Sequence, residues 1–276
     1  MIKRTLSTIA LWAVVLGTVG YGGTVGSVVL LAVFSTLAQY ELQGILGKSG
    51  LPPWPFAPLA LGFAIVLQAG LKLDCGVFLW PLAAVALTLA ALACAQNPAA
   101  LNRLAGSVLA VAYIPGMMLF YAMIMREFGP NCAHGEGVGL AVWVIAVAKF
   151  TDVGGYLVGS MIGRHKLAPS ISPGKTWEGV AGGLALAMLI GAGAWRLAPG
   201  WLPNWFTLNH ALWLPLPIGI AAIASDLSES AFKRRAGMKD SGRCIPGIGG
   251  ALDLADSLLL AAPVAYYLFT SFQPNF

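Results

Sequence analysis

Residues 77–95 read VFLWPLAAVALTLAALACA, nineteen positions without a single charge. As a helix, such a run is long enough to cross about 30 Å of hydrocarbon. It does not alternate between apolar and polar side chains, which a strand of a lipid-facing barrel would have to do. The stretch LLLAAPVAYYLF at 258–269 has the same character. Working outward from these segments, 58% of the 276 residues are hydrophobic and 10% are charged, where an ordinary soluble domain carries roughly a quarter charged residues. A chain of this kind cannot cover itself with polar surface, and its mean hydropathy of +0.79 makes lipid its main solvent. The fold class expected is all-α, a polytopic integral membrane protein.

Spans of membrane-crossing length are expected near 5–21, 25–43, 56–71, 76–95, 104–125, 138–159, 179–197, 212–233 and 251–270, nine in all. The third is short, and the proline-rich stretch 51–58 before it reads as a turn or interfacial segment. The N-terminus has the charged head and apolar middle of a secretory signal but lacks a convincing small-residue cleavage site. A retained first helix and a tight turn at Tyr21–Thr24 are therefore expected.

Lys and Arg mark cytoplasmic loops. With the N-terminus inside, nine crossings place twelve of the sixteen basic residues in the cytoplasm and leave Lys72, Arg126 and Arg196 outside, with Lys149 within a span. The expectation is N-in and C-out in the cell inner membrane. The net charge of +5 is explained by these flanking residues, so no nucleic-acid partner is expected. Cys75, Cys94, Cys132 and Cys244 are too scattered for a zinc or disulfide pattern and read as packing residues.

Polar residues are spread unevenly. Seven of the eleven acids fall between 149 and 256, which divides the chain into N-terminal transmembrane helices over 1–100 and a C-terminal catalytic region over 101–276. On the eighth span Asp226, Glu229, Ser230 and Lys233 share one helical face. Asp253 and Asp256, three apart at the start of the ninth, would project to one side of its first turn and could hold a divalent ion with the eighth. Placement at a helix N-terminus and an ion pair from Glu229 to Lys233 are the plainer alternatives. Lys149, Asp152 and Tyr156 share a face of the sixth span, and ionisable residues within spans usually mark function.

The loop RHKLAPSISPGKTWEG at 164–179 contains Pro169, Pro173 and Gly174, which exclude a continuous helix and leave Ser170, Ser172, Lys175 and Thr176 available to a ligand. From 226 to 257 the chain reads DLSESAFKRRAGMKDSGRCIPGIGGALDLADS. A lipid-anchoring basic loop would account for its cations but not for its acids and glycines. Cations beside carboxylates and exposed backbone suit a polyphosphate: they offer charge neutralisation, a bridging divalent ion and close backbone approach.

This stretch resembles the signature of the phosphatidate cytidylyltransferases. The match covers Ser230, Lys233, Arg234, Lys239, Asp240, Gly242, Pro246, Gly249, Gly250, Asp253 and Asp256, with Ile248 where the family has His and Leu254 where it has Arg. The segment 166–179 is similar to a second stretch of that family, and Asp226 with Glu229 and Ser230 to a third. The resemblance implies a homodimer in the lipid bilayer that joins CTP to phosphatidate at the cytoplasmic face, with Mg²⁺ held by Asp226, Asp253 and Asp256. It implies catalytic roles for Asp226, Lys239, Asp240, Asp253 and Asp256, and substrate binding by Lys175, Thr176, Ser230, Lys233, Arg234, Gly249 and Gly250. Departure at Ile248 and Leu254 removes an imidazole and a guanidinium and implies a variant site. A CTP-dependent polyprenol or phytol kinase is the chemical alternative, and a transporter the alternative from another class.

Overall fold

The computed structural model describes residues 2–71, 87, 90–91, 93–94, 97–128, 135–242, 244–245 and 249–273. Most of the expected fourth span, 76–95, lies outside them. The rest is overwhelmingly helical, in order α1 (Ile2–Lys48), α2 (Ala57–Leu71), α3 (Pro98–Tyr113), α4 (Pro115–Glu127), α5 (Glu136–Ile162), β1 (Lys166–Ala168), β2 (Ser172–Thr176), α6 (Trp177–Leu197), α7 (Leu208–Trp213), α8 (Pro215–Arg235), α9 (Ala251–Ala255) and α10 (Ala261–Phe272). Among the described residues five helical stretches are long and apolar enough to cross a membrane: 17–48, 98–127, 136–162, 177–197 and 208–235. Ala57–Leu71 is a shorter apolar helix. The chain is a multi-pass membrane protein.

The first two expected spans run together as α1, broken where expected by non-helical backbone at Gly23 (φ 55°, ψ −144°), a conformation open mainly to glycine. Proline marks two further interruptions, between α3 and α4 before Pro115 and between α7 and α8 before Pro215, because its ring clashes with the preceding turn. The ninth expected span is not one helix. Only Ala251–Ala255 and Ala261–Phe272 are helical, and Asp256 to Leu260 form turns. Asp256 Oδ1 accepts its neighbour's backbone N–H, from Ser257 at 2.6 Å, the local bonding by which aspartate competes with a helix. The expectation that Asp253 and Asp256 share a face of one helix is thereby corrected.

The chain divides into two compact units, Met1–Ala122 with Arg235–Asp253, and Met123–Arg234 with Leu254–Phe276. In the first, α1 packs on α2, and Gln39 Nε2 donates to the Pro58 carbonyl at 2.8 Å. The Ser107 hydroxyl of α3 accepts the Trp54 N–H at 3.0 Å, fixing the proline-rich turn. In the second, α5 and α6 form the most extensive helix pair. A Cβ at Gly183 would strike the Thr151 carbonyl, so glycine there lets the two backbones approach, as small residues do between membrane helices. Trp143 Nε1 donates to the Gly191 carbonyl at 3.0 Å, and its ring meets Phe206 edge-on at 4.9 Å, closing the far end of the pair.

Candidate active site

The loop after α5 folds as a small antiparallel hairpin, with Lys166 opposite Thr176 and Ala168 opposite Ser172. This gives the proline-containing segment a regular shape where the sequence alone gave only an open loop. Thr176 ends the hairpin and starts α6. Its buried hydroxyl oxygen accepts the Gly179 N–H at 3.1 Å, an N-cap that fixes the helix start. Glu178, in the first turn of α6, accepts the backbone N–H groups of Arg164 at 3.1 Å and His165 at 3.2 Å, tying the hairpin's entry to its exit.

The capped hairpin aims Lys175 at α8. Its Nζ lies 2.6 Å from Asp226 Oδ2. The other oxygen of Asp226 accepts from Ser230 Oγ at 3.5 Å, so two sequence-expected residues do share a helical face. One turn further, Lys233 pairs with the buried Glu229 at 2.7 Å. This is the i to i+4 ion pair offered as the plainer reading. Exposed Arg234 donates from Nε to the Ile171 carbonyl at 3.4 Å and so lies beside the hairpin turn.

A second pair stands in the same unit, Lys149 Nζ on α5 to Asp256 Oδ1 at 3.0 Å. Asp152, one turn beyond Lys149, lies within electrostatic reach of Asp256, Asp226 and Lys149. Asp152 thus lies within electrostatic reach of both ion pairs, in each of which one lysine engages one acid. Tyr156, expected on the same face as Lys149 and Asp152, is 76% exposed. Asp152 was legible as an intramembrane charge. Its company was not, because α5, α8 and the turn after α9 are separated by long stretches of chain.

The other signature residues fall in the first unit. Lys239 and Asp240 are exposed. Asp253 accepts the Ser241 N–H on both oxygens, at 3.3 and 3.2 Å. Gly249 bridges Ile245 through reciprocal backbone hydrogen bonds of 3.0 and 3.1 Å at a φ of 134°, where a side chain would be strained. Gly250 is buried beside it. Ile248, at the position of the family His, lies outside the described residues. Among the described residues no three His, Cys, Asp or Glu side chains converge as a protein-built metal cage.

A profile of the cytidylyltransferase family matches residues 2–272. The chain belongs to that family. It is 44% identical over 156 residues to a phosphatidate cytidylyltransferase of Synechocystis sp., covering 54% of this chain and 51% of that one. It is 37% identical over 164 residues to the phosphatidate cytidylyltransferase of Staphylococcus aureus, covering 57% and 55%. A third relative, the phosphatidate cytidylyltransferase of Haemophilus influenzae, is 38% identical over 152 residues, covering 54% and 53%. The chain spans about half the length of the curated relatives it matches.

Proposed function

We propose that this family member transfers the cytidylyl group of CTP to phosphatidate. A phosphate oxygen of the lipid attacks the α-phosphorus of CTP, the bond from that phosphorus to the bridging oxygen breaks, and pyrophosphate leaves. CDP-diacylglycerol is the lipid product. The observation that carries the reading is the grouping of Asp152, Asp226 and Asp256 with Lys149 and Lys175 in a chain of this family. The names of the relatives agree with it.

Acids and lysines so placed suit a reaction in which the protein forms no covalent bond and acts by positioning and charge stabilisation. Lys175, released from Asp226 by the stronger pull of a polyphosphate, neutralises phosphate oxygens. Arg234, beside the same hairpin, adds a second cation there. Magnesium is typically held by one or two carboxylates together with substrate phosphates and waters, so the hard oxygen donors of Asp226 and Asp256 fit it without a protein cage. For Asp253 a metal-ligating role is implied by the family resemblance alone. The ion would supply further neutralisation of the phosphates.

Purified protein given CTP, phosphatidate and Mg²⁺ should release pyrophosphate, and should release none when phosphatidate is omitted. Pyrophosphate release independent of the lipid would count against the reading. The distribution of basic residues supports a cytoplasmic N-terminus and site and an exported C-terminus. Alkaline phosphatase fused after residue 276 should therefore be active. Activity of a cytoplasmic reporter at the same point would contradict that orientation.

A further inference from the structure

Glu41 lies on α1, in the part of the chain whose sequence offers little besides hydropathy, and it is 5% exposed. Both of its oxygens are used. Oε2 accepts from Ser241 Oγ at 3.0 Å and from the Leu252 N–H at 2.9 Å, and Oε1 accepts the Cys244 N–H at 3.1 Å. A buried carboxylate is costly unless such donors meet its charge. All three donors come from one segment, Ser241 to Leu252, which contains the glycines of the signature.

Two of those glycines are shaped to the carboxylate. A Cβ at Gly242 would collide with Glu41 Oε1. One at Gly250 would collide with Ser241 Oγ and would stand 2.7 Å from Glu41 Oε2 and 2.8 Å from Asp253 Oδ2. Ser241 links the two acids directly: its hydroxyl donates to Glu41 and its N–H to Asp253.

We infer that Glu41 is a positioning residue for the proposed transfer, holding Ser241, Cys244 and Leu252 and, through Ser241, orienting Asp253. This rests on the functional reading above. The fold gives the arrangement a reason. Between α8 and α9 the described residues of the segment carry only the Ile245–Gly249 bridge, and α1 supplies a buried acceptor for their N–H and hydroxyl groups.

The test is Glu41→Gln, which keeps the volume but turns one acceptor into a donor facing a donor. In assays with CTP, phosphatidate and Mg²⁺, kcat should fall by at least about tenfold while KM for CTP moves by less than about threefold, since the loss falls on the reacting arrangement rather than on uniform binding. A second readout does not depend on activity. Burial and the neighbouring Glu41 carboxylate push the Cys244 thiol up to about 11. In Glu41→Gln, iodoacetamide at pH 8 should alkylate Cys244, read by peptide mass spectrometry, at least about fivefold faster. Leu42→Ala is the packing control, since Leu42 is fully buried on the same helix. It should destabilise the protein yet leave Cys244 alkylation within about twofold of wild type.

Unchanged Cys244 alkylation in Glu41→Gln would overturn the inference, as would faster alkylation with undiminished kcat. If the wild-type protein makes no nucleotidyl lipid, the functional reading fails by itself. Faster alkylation in the variant would then still support the hold of Glu41 on the segment.

Discussion

Asp256→Asn is expected to cut turnover by about 10²–10³-fold, the loss typical of removing one charge-stabilising group from a reacting centre, while leaving the protein folded in the membrane. Asparagine keeps the shape and still accepts the Ser257 N–H, so the turn after α9 survives. What is lost is the negative charge that pairs with Lys149 at 3.0 Å and, in the proposed function, one oxygen donor to the divalent ion. Turnover is read as the appearance of nucleotidyl lipid, and folding as the elution profile of the detergent-solubilised protein. Near-normal turnover would reduce Asp256 to a turn-forming residue that happens to bind a lysine.

Lys175→Met should lower kcat/KM for CTP by about 10²-fold, because a cation facing polyphosphate is lost. Lys175→Arg, which keeps the charge, should recover part of it. The 2.6 Å pair with Asp226 raises a plainer account, in which Lys175 only anchors the hairpin to α8. A charge exchange separates the two. Lys175→Asp combined with Asp226→Lys restores an ion pair but sets a carboxylate where phosphate must come, so the exchanged protein should remain inactive. Restored activity would show the pair to be structural.

The five long helical stretches were legible because each is a long apolar run, and the breaks at Gly23, Pro115 and Pro215 fall on residues whose backbone chemistry dictates them. The break between α9 and α10 was hidden. Asp256 looked like the second carboxylate of a helical face, and only the bond to its own neighbour's N–H shows that it turns the chain instead. The site was legible as an inventory but not as a set of contacts. Asp226 and Ser230 share a face because helical spacing requires it. Lys175 reaching Asp226, and Lys149 reaching Asp256, depend on a hairpin and a turn that no periodicity announces. Glu41 gave no signal beyond being an acid in an apolar helix, one of only two acids in the first hundred residues. Its cost in a membrane helix was the available clue that it must be satisfied by distant donors.

The fate of each phosphate of CTP tests the central claim most directly. Purified protein is incubated with phosphatidate, Mg²⁺ and CTP labelled at either the α- or the γ-phosphate, and the lipid is extracted. If the phosphate of phosphatidate attacks the α-phosphorus, α label enters the lipid and γ label leaves as pyrophosphate. Chelation of the divalent ion should stop both. Entry of γ label into the extracted lipid, or into a phosphate-free lipid alcohol supplied in place of phosphatidate, with CDP left in the aqueous phase, would make the protein a lipid kinase and contradict the account.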